Sequence, residues 1–129
     1  MLTDVLDKLQ EIVEKDSRYR DAAYFFVLDA LERLMRNSPQ FRHVSGKELL
    51  KSIQQEAVDQ FGPMALTVFK YWGIENSLDF GRIVFNMVEQ GLLLKQEADV
   101  LSDFEDAQFL AGLKKKASRY ELTEIKESS

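Results

Sequence analysis

The chain has 129 residues, 45% hydrophobic and 30% charged, with no cysteine and a formal net charge of −5. That length amounts to one domain and can bury about two-thirds of its unfolded surface. The missing cysteine excludes disulfides, thiolate metal sites and a cysteine nucleophile, and the negative charge disfavours phosphate backbones and anionic membranes as partners.

The N-terminal stretch MLTDVLDKLQEIVEKD is amphipathic and charged, so it does not read as a secretory signal. Leu2, Val5, Leu6, Leu9, Ile12 and Val13 recur at helical spacing. They predict a helix over about 3–15 with Thr3 as N-cap. A second helix is expected from about Ser17 to Arg36. It is apolar nearly all round, which puts it in the centre of the core. Asn37-Ser38-Pro39 ends it.

The clearest start signal is Ser45-x-x-Glu48, a capping box in which each side chain satisfies a backbone N–H of the first turn. Val44 and Leu49 stand at the positions of a hydrophobic staple. This third helix runs to about Phe61, where Gly62 stops it and Pro63 opens a fourth that reaches Trp72. Gly73-Ile74 reads as a left-handed cap followed by its apolar contact. The fifth helix, about Ser77 to Gln90, places Phe80, Ile83, Val84, Met87 and Val88 on one face, and Gly91-Leu92 closes it. Residues 92–104 read as a short hairpin or an irregular arm. From Asp106 a short helix is expected to fray. Residues 1–113 then form the domain, and 114–129 a basic then polar tail, partly disordered.

Chemistry-bearing motifs are sparse. His43 is the only histidine and sits beside Arg42, just before the Ser45 cap. No partner of matched pKa is written next to it, so a structural role in the loop is the first expectation. A small-ligand site or an enzyme built on Arg42 and His43 is an alternative. There is no nucleophile elbow, no phosphate-binding glycine loop and no H-E-x-x-H. The acids Glu97, Asp99, Asp103, Glu105 and Asp106 lack the rhythm and glycine of a calcium loop. Phe61, Phe69, Tyr71 and Trp72 read as core before they read as a binding patch. Lys114 to Lys116, with Arg119, are read as a solvated basic stretch.

The order helix, turn, helix, then a hairpin around 92–104 is that of a winged helix, with the fifth helix as reader. Its outward residues would include Asp79, Arg82, Asn86, Glu89 and Gln90, a poor face for a DNA groove. A nucleic-acid binder would instead need Arg18, Arg20, Arg42 and Arg82 on one face.

Arg18-Tyr19, Ala23-Tyr24 with Phe26-Val27, and Arg42-His43-Val44-Ser45-Gly46-x-Glu48-Leu49-Leu50 form a recognisable series. It continues through Gln60-Phe61-Gly62-Pro63, Trp72-Gly73-Ile74, Asp79-Phe80-Gly81-x-Ile83-Val84-Phe85-Asn86 and Val88-Glu89-x-Gly91-Leu92-Leu93. In these motifs, over about residues 18–104, the chain resembles a family of small uncharacterised bacterial proteins of planctomycete and verrucomicrobial type. The resemblance implies a bacterial cytoplasmic protein and carries no catalytic or binding residues with it.

The expectation is therefore an all-α or nearly all-α domain of about five or six helices, winged-helix-like if residues 92–104 form a β-hairpin. The leading function is a non-enzymatic protein-interaction module, meeting a protein partner or a second copy of itself as a homodimer. A nucleic-acid-binding or regulatory protein is the less favoured alternative. No catalytic, metal or cofactor residue is assigned, and no membrane is expected as partner. Arg18, Tyr19, Arg42, His43, Asp79, Arg82 and Asn86 are the candidate interaction or ligand residues.

Overall fold

The structure, a computed structural model, describes residues 2–36, 45–93 and 101–128. Six α-helices follow in order among these residues: α1 (Leu2–Lys15), α2 (Asp21–Arg36), α3 (Gly46–Phe61), α4 (Ala65–Tyr71), α5 (Ser77–Glu89) and α6 (Phe109–Ser128). Short 3-10 turns at Gly62–Met64 and Leu101–Phe104 precede α4 and α6. The fold is all-α, with no strand among the described residues. None of the described helices is long and apolar enough to cross a membrane.

α2 is the central element. Ala23, Tyr24, Phe26, Val27, Ala30 and Leu31 are all buried, and its most extensive packing is against α3. Leu49, Leu50, Ile53, Ala57 and Val58 of α3 are buried too, and Ser52 Oγ donates to Ala30 O at 2.6 Å across the contact between the two helices. Aromatic rings run through the core in sequence: Phe26–Phe69 at 5.6 Å, Phe69–Phe80 at 5.1 Å and Phe80–Phe109 at 5.6 Å between centroids. Of the aromatics read as core, Phe69 and Trp72 are buried and Phe61 packs half-buried against them, while Tyr71 stands 66% exposed.

The expected caps form. Glu48 N donates to Ser45 Oγ at 3.2 Å, and Ser45 N donates back to Glu48 Oε1 at 3.4 Å. Val44, the other half of the staple, lies outside the described residues. After α4, Gly73 takes φ +92; Ile74 N donates to Phe69 O at 2.9 Å and Gly73 N to Lys70 O at 3.1 Å. After α5, Gly91 takes φ +77, Leu92 N donates to Met87 O at 2.8 Å and Gly91 N to Val88 O at 3.0 Å. Both are Schellman motifs, in which the 6→1 and 5→2 bonds satisfy the last carbonyls of the helix.

Several expectations give way. α1 begins at Leu2, so Thr3 is inside the helix and is not its cap. α2 begins at Asp21 and not near Ser17, because the chain before it is tied elsewhere. Asp16 accepts from Arg18 N at 3.2 Å, and Arg20 N donates to Trp72 O at 3.2 Å. The hairpin near residues 92–104 is not supported. Most of it lies outside the described residues, and the part described, Leu101–Phe104, is a 3-10 turn with Phe104 fully buried. That turn leads to Asp106, whose backbone N donates to Ser77 Oγ at 2.9 Å and so ties the arm to the start of α5. Residues 114–128, read as the tail, continue α6 to Ser128. Phe109, Leu113 and Ala117 are buried at i, i+4 and i+8, so the first half of this helix has a core-facing stripe.

Candidate functional site

Five of the candidate residues come together where the turn 16–20 crosses α5. Asp79 is the centre. It stands three residues after Asn76, and the two form a second capping box, Asn76 Oδ1 accepting from Asp79 N at 3.2 Å. Asp79 Oδ2 accepts from Asn76 N at 3.1 Å and from Glu75 N at 2.7 Å. Its other oxygen accepts from the Tyr19 hydroxyl and, at 2.8 Å, from Arg82 Nη1. With four donors on one carboxylate that is 6% exposed, Asp79 has its acceptor capacity filled.

The second half of the network hangs on Asp16. Its carboxylate takes the Arg18 guanidinium in a fork, from Nε at 2.8 Å and Nη2 at 2.7 Å. Asn86 Nδ2 donates to Asp16 Oδ2 at 3.0 Å and to the Tyr24 hydroxyl at 3.0 Å. Asp79, Arg82 and Asn86, three of the residues that a winged helix would point at DNA, are thus engaged within the protein.

Electrostatics follow from these contacts. Burial pushes the Asp79 carboxyl up, but the hydrogen bonds from Tyr19, from the Glu75 and Asn76 amides and from Arg82 outweigh it, and its pKa lies below the ordinary value. The Arg18 bond holds Asp16 well below the ordinary carboxylate range. Burial, and then the bond to Asp79, pushes the Tyr19 phenol above its ordinary value. At neutral pH Asp79 and Asp16 are therefore charged and Tyr19 is neutral, and none of the three titrates near 7. Such a set holds geometry and is not poised to exchange protons, since a general base works best with a pKa near the operating pH. Among the described residues no buried side-chain polar atom lacks a partner.

Beside the network lies a cleft of about 780 Å³, in the size range of ligand and side-chain pockets. One wall is α1, through Leu6, Leu9, Gln10 and Val13; the other is the turn 17–21 with Phe25, Tyr71, Trp72 and Gly73. Leu9, Tyr19 and Trp72 are buried, whereas Leu6 is 48%, Phe25 37% and Tyr71 66% exposed. Leu6, one of the apolar residues that recur at helical spacing in α1, sits on the cleft with Leu9 and Val13. Arg20 lies 4.2 Å from the Tyr71 ring centroid, a cation–π stack, and its Nε donates to Tyr71 O at 3.1 Å.

Arg18 and Tyr19 line both the cleft and the network, and Asp79, Arg82 and Asn86 belong to the network. Arg42 and His43 lie outside the described residues. Sequence reasoning missed Asp16, Tyr24 and the cleft itself. Asn76-x-x-Asp79 carried the same capping signature as Ser45-x-x-Glu48 and marked Asp79 as buried in hydrogen bonds. Nothing local marked the cleft, because Tyr71, Trp72 and Gly73, which complete it, lie about 50 residues beyond the rest of its lining along the chain. Compared with protein-family models, curated proteins and solved structures, the chain matches none.

Proposed function

We propose that the chain is a non-enzymatic protein-interaction module that docks its partner in the cleft between α1 and the turn 17–21. The observation that carries this reading is the placement of three large exposed apolar side chains, Leu6, Phe25 and Tyr71, around one concavity. Single exposed apolar residues are ordinary, but several gathered around a pocket are the pattern of an interface. The neighbouring network makes the wall rigid, which lowers the ordering cost of binding. Its filled hydrogen bonds and off-neutral pKa values give no support to an acid–base role.

The test is site-specific photo-crosslinking in cells of the source organism. Tyr71→benzoylphenylalanine is expected to give a discrete covalent adduct, and the same replacement at exposed Gln55 on α3 is expected to give none. The mass of the adduct distinguishes a second copy of the chain from another protein. Absence of an adduct from position 71, or equal adducts from both positions, refutes the reading.

A further inference from the structure

We infer that the cleft selects a peptide segment that carries a carboxylate next to a leucine or aromatic side chain, with Arg20 as the group that recognises the acid. The inference rests on the docking role proposed above and adds the chemistry of the occupant.

The charged residues lining the cleft are Arg18, Arg20 and Asp21. Arg18 is already neutralised by the fork to Asp16 at 2.7 and 2.8 Å. Asp21 Oδ1 accepts from Ala22 N at 2.9 Å, where a carboxylate suits the positive end of α2. Arg20 is different. Its Nε is bonded to Tyr71 O, and its guanidinium is stacked on the Tyr71 ring. Among the described residues no carboxylate pairs with it. Its two Nη groups have no acceptor there either. The stack and the Nε bond fix the plane of the guanidinium, so the edge left over is an ordered pair of donors. A planar fork with two free nitrogens matches a carboxylate in a bidentate bond, and it needs little further ordering to make one.

The apolar half of the selectivity comes from the same place. A side chain entering between Leu6, Phe25 and Tyr71 meets Leu9 and Trp72 at the floor. Because the rim itself is apolar and exposed, it favours a length of chain that covers it over a small molecule that leaves it wet. One unpaired arginine in the cleft, on a chain of net charge −5, does not suit a phosphate backbone, which draws on many cations at once.

The experiment selects peptides of about twelve residues, from a random display pool lacking tryptophan, on the immobilised full chain. Trp72 is the single tryptophan and lines the cleft, so its emission reports binding of each selected peptide at this site. The expected result is enrichment of Asp or Glu within about three positions of Leu or Phe, with a saturable change in Trp72 emission. Replacing the enriched acid by its amide, or introducing Arg20→Gln, is expected to weaken binding about tenfold, the effect of losing a charge-assisted hydrogen bond. The two changes together should cost no more than either alone. Circular dichroism of Arg20→Gln checks that the fold is kept. Peptides enriched without an acid, an Arg20→Gln variant that binds acid and amide forms as the wild type does, or no enrichment at all overturns the inference. The crosslink from position 71 is independent of these outcomes, so the docking role can stand while the acid preference falls.

Discussion

Removing the Asp79 carboxylate is the sharpest test of how the turn 16–20 is held. In Asp79→Ala the Tyr19 hydroxyl, on a side chain only 2% exposed, loses its acceptor. An orphaned buried donor costs about 1–3 kcal/mol. The Glu75 and Asn76 amides lose the acceptor that closes the capping box, worth about 1 kcal/mol. Arg82 is 34% exposed and can turn to water, so its share is small. The sum is about 2–4 kcal/mol, which for a domain of this length lowers Tm by about 7–15 °C. Tyr19→Phe removes one donor and leaves Asp79 three others, so it should cost about 1 kcal/mol. In the double variant no hydroxyl is orphaned, so urea unfolding should show a coupling of about 1 kcal/mol or more between the two sites. Additivity of the two within about 0.3 kcal/mol, or a cost of Asp79→Ala below about 1 kcal/mol, would refute the assignment of Asp79 as the central acceptor.

The same contacts set the response to pH. The folded pKa values of Asp16 and Asp79 lie below the ordinary 3.8, so both stabilise the fold above that pH and lose their contribution as pH falls below it. Acid unfolding curves of Asp16→Asn and Asp79→Asn should be flatter than wild type from about pH 3.8 downward. The folded Tyr19 phenol lies above its ordinary 10.0, so its contribution is present below that pH and is lost as pH rises beyond it, and Tyr19→Phe should remove this alkaline loss. Gly73→Ala should fail badly in thermal unfolding. Its Cβ would stand 2.1 Å from Arg18 O at φ +92, and strain plus backbone clash cost about 3 kcal/mol or more. Gly91→Ala, also at positive φ but with only Lys8 Nζ 3.6 Å away, should cost about 1 kcal/mol. Ser45→Ala should lower stability by about 1 kcal/mol through loss of the cap of α3.

Local physics wrote most of the helices into the sequence. The Ser45–Glu48 box, the Schellman glycines Gly73 and Gly91 and the face Phe80–Ile83–Val84–Met87 depend on neighbours within a few residues, and the structure has them where periodicity and capping put them. The winged-helix order is not supported, since among the described residues of 92–104 Phe104 is buried in a 3-10 turn.

What the tertiary structure decided is where side chains of the same kind end up. Arg18, Arg20 and Arg82 are alike in the sequence; Asp16 and Asp79 neutralise two of them, and the third is left stacked on Tyr71. Tyr71 and Trp72 are adjacent, yet one is exposed and the other buried, because Trp72 continues the buried face of Ala65 and Phe69 while Tyr71 stands beside Arg20. Capping and periodicity are readable from one strand of text because their partners lie within a turn of helix. The cleft joins residues 6–25 to residues 71–73, and its shape and charge are fixed only when those two stretches meet.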